Sequence, residues 1–271
     1  MSRPRPIVPL SIAGSDPSGG AGLQADLKVF LRFGLSGAAV PTAITVQSAA
    51  GVREVVPLEA ALVGRQLAAL LGDVRPAAVK VGMLGDGAVV RVVARALLPL
   101  LRKRIPIVVD PVLTSGDGRR LLPRKDVAVF VRQLVPLATL LTPNVPEAAE
   151  LAGVSEARVT SHTPDVIAAL LRTGARAVLL KGGHLSGPEA TDVLRLGEEM
   201  VAYSLPRLPV GRRVHGTGCA LSAAIAALLA KGLSLEDAVQ QAKEYVHAAI
   251  AGSRHVGRGA RLLDFQARVG E

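Results

Sequence analysis

IVPLSIAGSDPSGGAGLQADLKVFLRFG, residues 7–34, holds a complete strand–turn–helix unit. IVPLSIAG is a short apolar run of the length of a buried strand, and GSDPSGG has the Gly and Pro density of a tight turn. GLQADLKVFLRFG then follows a helical pattern. The unit recurs along the chain. SGAAVPTAITV (36–46) is strand-like, a helix follows around Leu58–Leu71, and AAVKVGM is a strand before a helix over Val89–Leu101. PIVVD, ending at Asp110, LATLLTP and ARAVLLKGG repeat the strand pattern beside helix-like segments, and two Ala-rich helices near Ala220–Lys231 and Leu235–Ser253 close the chain. Such alternation predicts an α/β fold, a mostly parallel sheet between two helix layers. The extended stretches around Val52–Val56 and Ala190–Ser204 fit poorly as central strands and are read as flaps at an edge.

The composition agrees. Of 271 residues 49% are apolar but only 2% aromatic, with no Trp, so Ala, Val, Leu and Ile must fill the core. That suits helices packed on a buried parallel sheet. A single cysteine, Cys219, allows no internal disulfide. The opening residues do not resemble a signal peptide, and no apolar run approaches a membrane span. The expectation is a cytoplasmic protein without membrane attachment, and the whole chain, 1–271, is read as one domain. The net charge of +10 is scattered in short groups: Arg102 to Arg104, Arg119 with Arg120, Arg212 with Arg213. No block of like charge is interleaved with stacking aromatics, so a solvated surface is preferred over nucleic-acid binding.

In open α/β sheets, ligands sit beyond the carboxyl ends of the strands. There the chain places GSDPSGGAG, QSAAG, GMLGDG, DPVLTSGDG, TPNVPE and KGGH. HGTGCALSAAIAALLAKG, from His215, is the most informative segment. Gly216, Thr217 and Gly218 precede a strong helix, whose free N–H groups and dipole favour an anion such as a transferring phosphoryl group. An ordinary capped loop is the alternative. Cys219 falls in the first helical turn, where the thiolate is favoured and its pKa is expected to fall; the other reading is a buried apolar thiol. Asp26, two turns into its helix, is either a solvated carboxylate or an acceptor for a substrate hydroxyl. Asp110 ends a strand. Asn144 and Glu147 lie one turn apart, either near Mg²⁺ and phosphates or as a capping box, and both roles are compatible. Lys181, flanked by Gly182, is expected to approach ATP phosphates. No Walker A sequence is present.

Together these segments resemble the ribokinase-like superfamily, and within it the hydroxymethylpyrimidine/phosphomethylpyrimidine kinases. AGSDPSGGAGLQADLK, TAITVQSAAGV, KVGML, DPVL, TPNVPEA, KGGHL and HGTGCALSAA appear in family order between about Ile7 and Phe265. The resemblance implies a three-layer α/β/α fold, ATP and Mg²⁺, a small aminopyrimidine alcohol or its monophosphate as acceptor, and a homodimer. It implies Gln47 and Asp26 as pyrimidine contacts, with Gly14 and Met83 lining the same pocket. Asn144, Lys181, Gly182 and Thr217 fall to the nucleotide, Glu147 and Asp110 to the metal, and Gly216 to Cys219 to the anion hole. Two departures stand out: Arg213 and Val214 replace a frequent Asn-Thr, and Ser48 replaces the Asn that commonly follows the Gln. Pyridoxal kinase is the nearest rival reading, which Gln47 opposes, because its amide matches the ring nitrogen and amine of an aminopyrimidine. A basic nucleic-acid-binding protein and a non-catalytic relative are the readings from other classes.

Overall fold

The computed structural model describes residues 6–183, 187–210 and 214–268; Arg213 and the end of KGGHL lie outside the described residues. The first unit forms as its pattern requires, with β1 (Pro9–Ser15) and α1 (Gly22–Arg32) joined by the Gly-rich turn. β2 (Ala38–Ser48) and β3 (Gly51–Pro57) make a hairpin, followed by α2 (Ala60–Asp73), β4 (Ala78–Val81), α3 (Gly87–Arg102) and β5 (Ile107–Val109). Next come α4 (Arg124–Gln133), β6 (Leu140–Leu141), α5 (Val145–Ala152), α6 (Glu156–Ser161), α7 (Thr163–Arg172) and β7 (Ala177–Leu180). The hairpin of β8 (Glu189–Leu196) and β9 (Glu199–Pro206) leads through β10 (Val214–His215) into α8 (Thr217–Ala230), α9 (Leu235–Ala251) and β11 (Arg261–Leu262).

Nine strands form one sheet in the order β3-β2-β1-β4-β5-β6-β7-β8-β9. The six from β2 to β7 in that order run parallel, while β3 at one edge and β8 and β9 at the other are antiparallel. The edge flaps expected from sequence are thus β3 and a two-stranded hairpin. Their half-buried residues alternate, whereas central strands such as β4 are buried throughout.

Each central strand feeds two cores. Leu10, Ile12, Val79, Val81, Ile107 and Val109 pack with α2, α3, α4, α5 and α7. Val108, Leu140 and Leu179 face the other way, onto α1, α8 and α9. Helix α8 is rich in Ala and Leu and buried from Ala220 to Leu228, as expected of a helix apolar on nearly all sides. Among the described residues no helix is long and apolar enough to cross a membrane.

The chain winds from β1 to β2 on one side and then crosses to β4 on the other. This reversal opens a crevice past the carboxyl ends of β1 and β4, where a ligand belongs in a doubly wound sheet. The start of α8 faces the same end, because β10 and β11 form a small parallel pair that delivers His215 beside the β1 turn.

Candidate active site

Helix α8 begins with a glycine because nothing else fits there. Gly216 has φ +83°, a left-handed conformation, and a Cβ on it would collide with the Gly20 carbonyl oxygen. Ala220 is the first residue to donate within the helix, to the Gly216 oxygen. The N–H groups of Thr217, Gly218 and Cys219 therefore have no partner inside the helix and form its positive end. A Cβ on Gly218 would stand 3.2 Å from Lys181 Nζ and 3.9 Å from an Asp110 oxygen. The expected anion hole and these two charged residues are therefore one site.

Lys181 follows β7 and is held there by its N–H donating to the Pro143 carbonyl and by a bridge to Asn144. Its ammonium donates to Asp110 Oδ1 at 2.7 Å and lies 3.9 Å from Glu147 Oε2. Asp110 also accepts from Thr142 and Ser222, both at 3.2 Å. Burial opposes its charge, but Lys181, Lys80 and these donors hold its carboxyl below the usual range. Glu147 is pushed up to about 7, by burial first and by the Asp110 charge, against the pull of Lys181. Lys181 is raised above its ordinary value, because the two carboxylates outweigh burial.

Asn144 and Glu147 form the capping box: Asn144 Oδ1 accepts from the Glu147 N–H at 2.9 Å, and Glu147 Oε2 accepts from the Asn144 N–H at 2.8 Å. That leaves Glu147 Oε1 without a hydrogen bond among the described residues. Asp110, expected at the metal, is engaged by Lys181 here. The lysine ammonium already occupies the cation position between the two carboxylates, and Asp110 is 1% exposed. No group of three or more His, Cys, Asp or Glu residues suited to a metal occurs among the described residues. Gly182, expected at the nucleotide, donates its N–H to Asp192 Oδ1 at 2.9 Å, so that N–H is already engaged. Asp192 is in turn ion-paired to Lys243 at 2.7 Å.

Cys219 sits where expected, part-buried in the first turn, with the Gly22 N–H directed at its sulfur. Its thiol does not behave as expected. Burial pushes it up, Asp110 and Asp26 add to that, and Lys80 recovers only part. Lost solvation is the largest cause, and the Gly22 N–H offsets only part of it.

On the pocket side, Gly14 and Met83 touch, since a Cβ on Gly14 would overlap the Met83 methyl. Gln47 is half-buried at the end of β2, its Nε2 3.2 Å from His215 Nε2. Ser48 is the exposed last residue of β2, accepting from the Ala50 N–H of the turn that follows. Asp26 is the largest correction. It is wholly buried, accepting from Lys80 at 2.8 and 3.0 Å and from the Ser11 hydroxyl, so it presents nothing to a substrate. Lys80 and Ser11 are register partners on β4 and β1, turned toward α1.

Sequence reasoning missed Lys80, Asp16, His215 and Ser222. A lysine inside the apolar run AAVKVGM was the available signal, since a charge in a central strand is buried only when paired. Asp16 had a weaker one, as an Asx residue in a turn. It accepts from the Ser18 N–H, the Ser18 hydroxyl and the Ala21 N–H, each at 2.9 Å, and ties the loop together.

Comparison with known proteins identifies the family and the fold. The phosphomethylpyrimidine kinase family model covers residues 16–264. A hydroxymethylpyrimidine/phosphomethylpyrimidine kinase of Rhizobium meliloti is 45% identical over 258 residues, spanning 93% of this chain and 94% of its own. Among solved structures, a pyridoxal kinase of Bacillus subtilis with bound ADP superposes with a TM-score of 0.86 at 31% identity, over 97% of this chain and 98% of the other. A phosphomethylpyrimidine kinase of Clostridium difficile gives a TM-score of 0.75 at 37% identity, over 90% of this chain and 99% of that one. The fold is therefore ribokinase-like, and the chain belongs to the phosphomethylpyrimidine kinase family.

Proposed function

We propose that this chain phosphorylates hydroxymethylpyrimidine and then its monophosphate at the N-terminus of α8, using ATP, within thiamine biosynthesis. The observation carrying the reading is the set of N–H groups at Thr217, Gly218 and Cys219 standing over the Lys181 ammonium. Negative charge developing on a moving phosphoryl group meets helix-end donors and a fixed cation there, in surroundings that need no reorganisation. ATP, when bound, supplies the phosphoryl group, and Mg²⁺ screens its charge. Glu147 is the residue to hold that ion through water, with Asn144 fixing the carboxylate by the capping box. Lys181 faces the phosphates while Asp110 holds it in place.

Gln47 and Met83 border the acceptor side, and the Gln47 amide suits an aminopyrimidine edge. Cys219 stands where the acceptor oxygen must arrive. With its thiol raised, it takes the alcohol proton only at a cost in the first step. The second step needs no such help, because a phosphate monoester is already anionic near neutrality. We read the protein as a cytoplasmic homodimer with one kinase domain per chain, as the family resemblance suggests.

A second reading, pyridoxal phosphorylation, draws support from the higher TM-scores of the pyridoxal kinases. An ATP-consumption assay with hydroxymethylpyrimidine, its monophosphate and pyridoxal separates the two. The expected result is a kcat/KM for hydroxymethylpyrimidine ~10²-fold or more above that for pyridoxal. Equal values overturn the assignment.

A further inference from the structure

Three polar side chains from distant parts of the sequence meet past the carboxyl ends of β1 and β2. Asp16 lies past β1, Gln47 at the end of β2, and His215 in β10. His215 Nε2 lies 2.8 Å from Asp16 Oδ2 and 3.2 Å from Gln47 Nε2. The ring is wedged: a Cβ on Gly20 would come within 2.7 Å of His215 Cδ2, and β11 pins the backbone.

We propose that Asp16 and His215 dictate which end of the Gln47 carboxamide faces the acceptor, making the site selective for hydrogen-bond polarity as well as shape. The inference rests on Gln47 being the pyrimidine contact. Asp16 already accepts from Ser18 and Ala21. Burial opposes its charge, but the His215 and Ser18 hydrogen bonds hold its carboxyl below the usual range. It is an ionised, acceptor-only group, so the proton shared with His215 must reside on Nε2. An Nε2–H cannot accept from an amide NH₂. A carboxamide interchanges its two ends by a half-turn, and hydrogen-bond partners decide between them. The end beside His215 must therefore be the carbonyl oxygen, which shares the Nε2–H with Asp16.

Gln47 then keeps its NH₂ group and one oxygen lone pair for the acceptor. That pair matches a ring nitrogen beside an exocyclic amine. It mismatches a ring N–H beside a carbonyl, which would require the amide to turn its NH₂ against the His215 N–H. Asp16 and His215 are positioning residues in this account; neither needs to touch the substrate.

The test compares kcat/KM for hydroxymethylpyrimidine with that for its 4-oxo analogue, which inverts the polarity of the edge. The wild-type protein should favour the amine by ~10²-fold or more, because a buried mismatch leaves polar groups unpaired. Asp16→Asn, which frees His215 to change tautomer, should cut that ratio at least ~10-fold while leaving the KM for ATP unchanged. His215→Leu removes the donor altogether and should give the same loss, so the test survives if one variant fails to fold. A purely structural role would lower turnover of both acceptors equally and keep the ratio. A ratio unchanged in both variants, with Gln47→Leu abolishing it, overturns the inference and leaves the Gln47 reading standing. A ratio that also survives Gln47→Leu overturns both.

Discussion

Two ion-paired lysines, Lys80 and Lys181, each meet an aspartate near the carboxyl end of a central strand, and the way they differ separates fold from function. Lys80 and Asp26 are both fully enclosed, and the Ser11 hydroxyl completes the cluster. Burial disfavours both charges, and the Asp26 carboxylate at 2.8 Å holds Lys80 in its charged form. Lys181 is 12% exposed, faces two carboxylates instead of one, and lies under the open end of α8. A one-to-one sealed pair has no valence left for a ligand. A cation at a helix N-terminus, with a surplus carboxylate pushed up to about 7, does. Pairing alone does not mark a functional site; incomplete pairing beside unpartnered donors does.

Breaking the sealed pair should have the largest effect. Lys80→Met strands the Asp26 charge in the core and should cost ~3–5 kcal/mol in denaturant unfolding, whereas the double change Lys80→Met with Asp26→Leu should recover much of it. A single variant as stable as wild type would mean that the pair is dispensable and the comparison misplaced.

Cys219→Ala should come next. Alanine suits a helix start, so stability should hold. First-step kcat should fall ~10²-fold if the thiol takes the alcohol proton, with far less change in the second step. Because the thiol is raised, the wild-type first step should also quicken as pH climbs toward its titration, and the variant should lose that rise. Equal losses in both steps would leave Cys219 only a shaping role.

Glu147→Gln should have the smallest effect on folding, because Gln preserves a capping box. Glu147 shifts from 4.5 in the unfolded chain to about 7 when folded. Between those values the folded protein retains a proton that the unfolded chain releases, so the residue's contribution to stability drops as pH rises through the window. The Tm difference between variant and wild type should therefore move in the variant's favour from pH 4.5 to about 7, and the variant should need more Mg²⁺ for turnover. A constant Tm difference with an unaltered Mg²⁺ requirement would make Glu147 a capping residue only.

The sheet, both helix layers and the edge strands were legible because apolar periodicity reports burial, and burial is what layers a fold. The α8 entrance was legible as well, since a Gly-rich turn before an Ala-rich helix has few other uses. The roles of Asp26, Asp110 and Gly182 were not. Each depends on what stands opposite it in space: Lys80 from β4, Lys181 from beyond β7, Asp192 from β8. The Cys219 thiol misled for a related reason. Position in the helix is written locally, but desolvation by surrounding layers is not. The contact of Asp16, Gln47 and His215 joins residues as far apart as 199 positions and leaves no local pattern.

If phosphoryl transfer occurs over Lys181, the variant Lys181→Met should lose it. Losing the lysine leaves Asp110 and Glu147 facing each other, and Glu147 can take up a proton to relieve the repulsion, so the variant should remain folded. The measurement is kcat/KM for hydroxymethylpyrimidine and for its monophosphate, per folded molecule. Both values should fall ~10²–10³-fold, the scale of losing one preorganised charge-stabilising group. Wild-type turnover with either acceptor in a folded Lys181→Met protein would contradict transfer over Lys181.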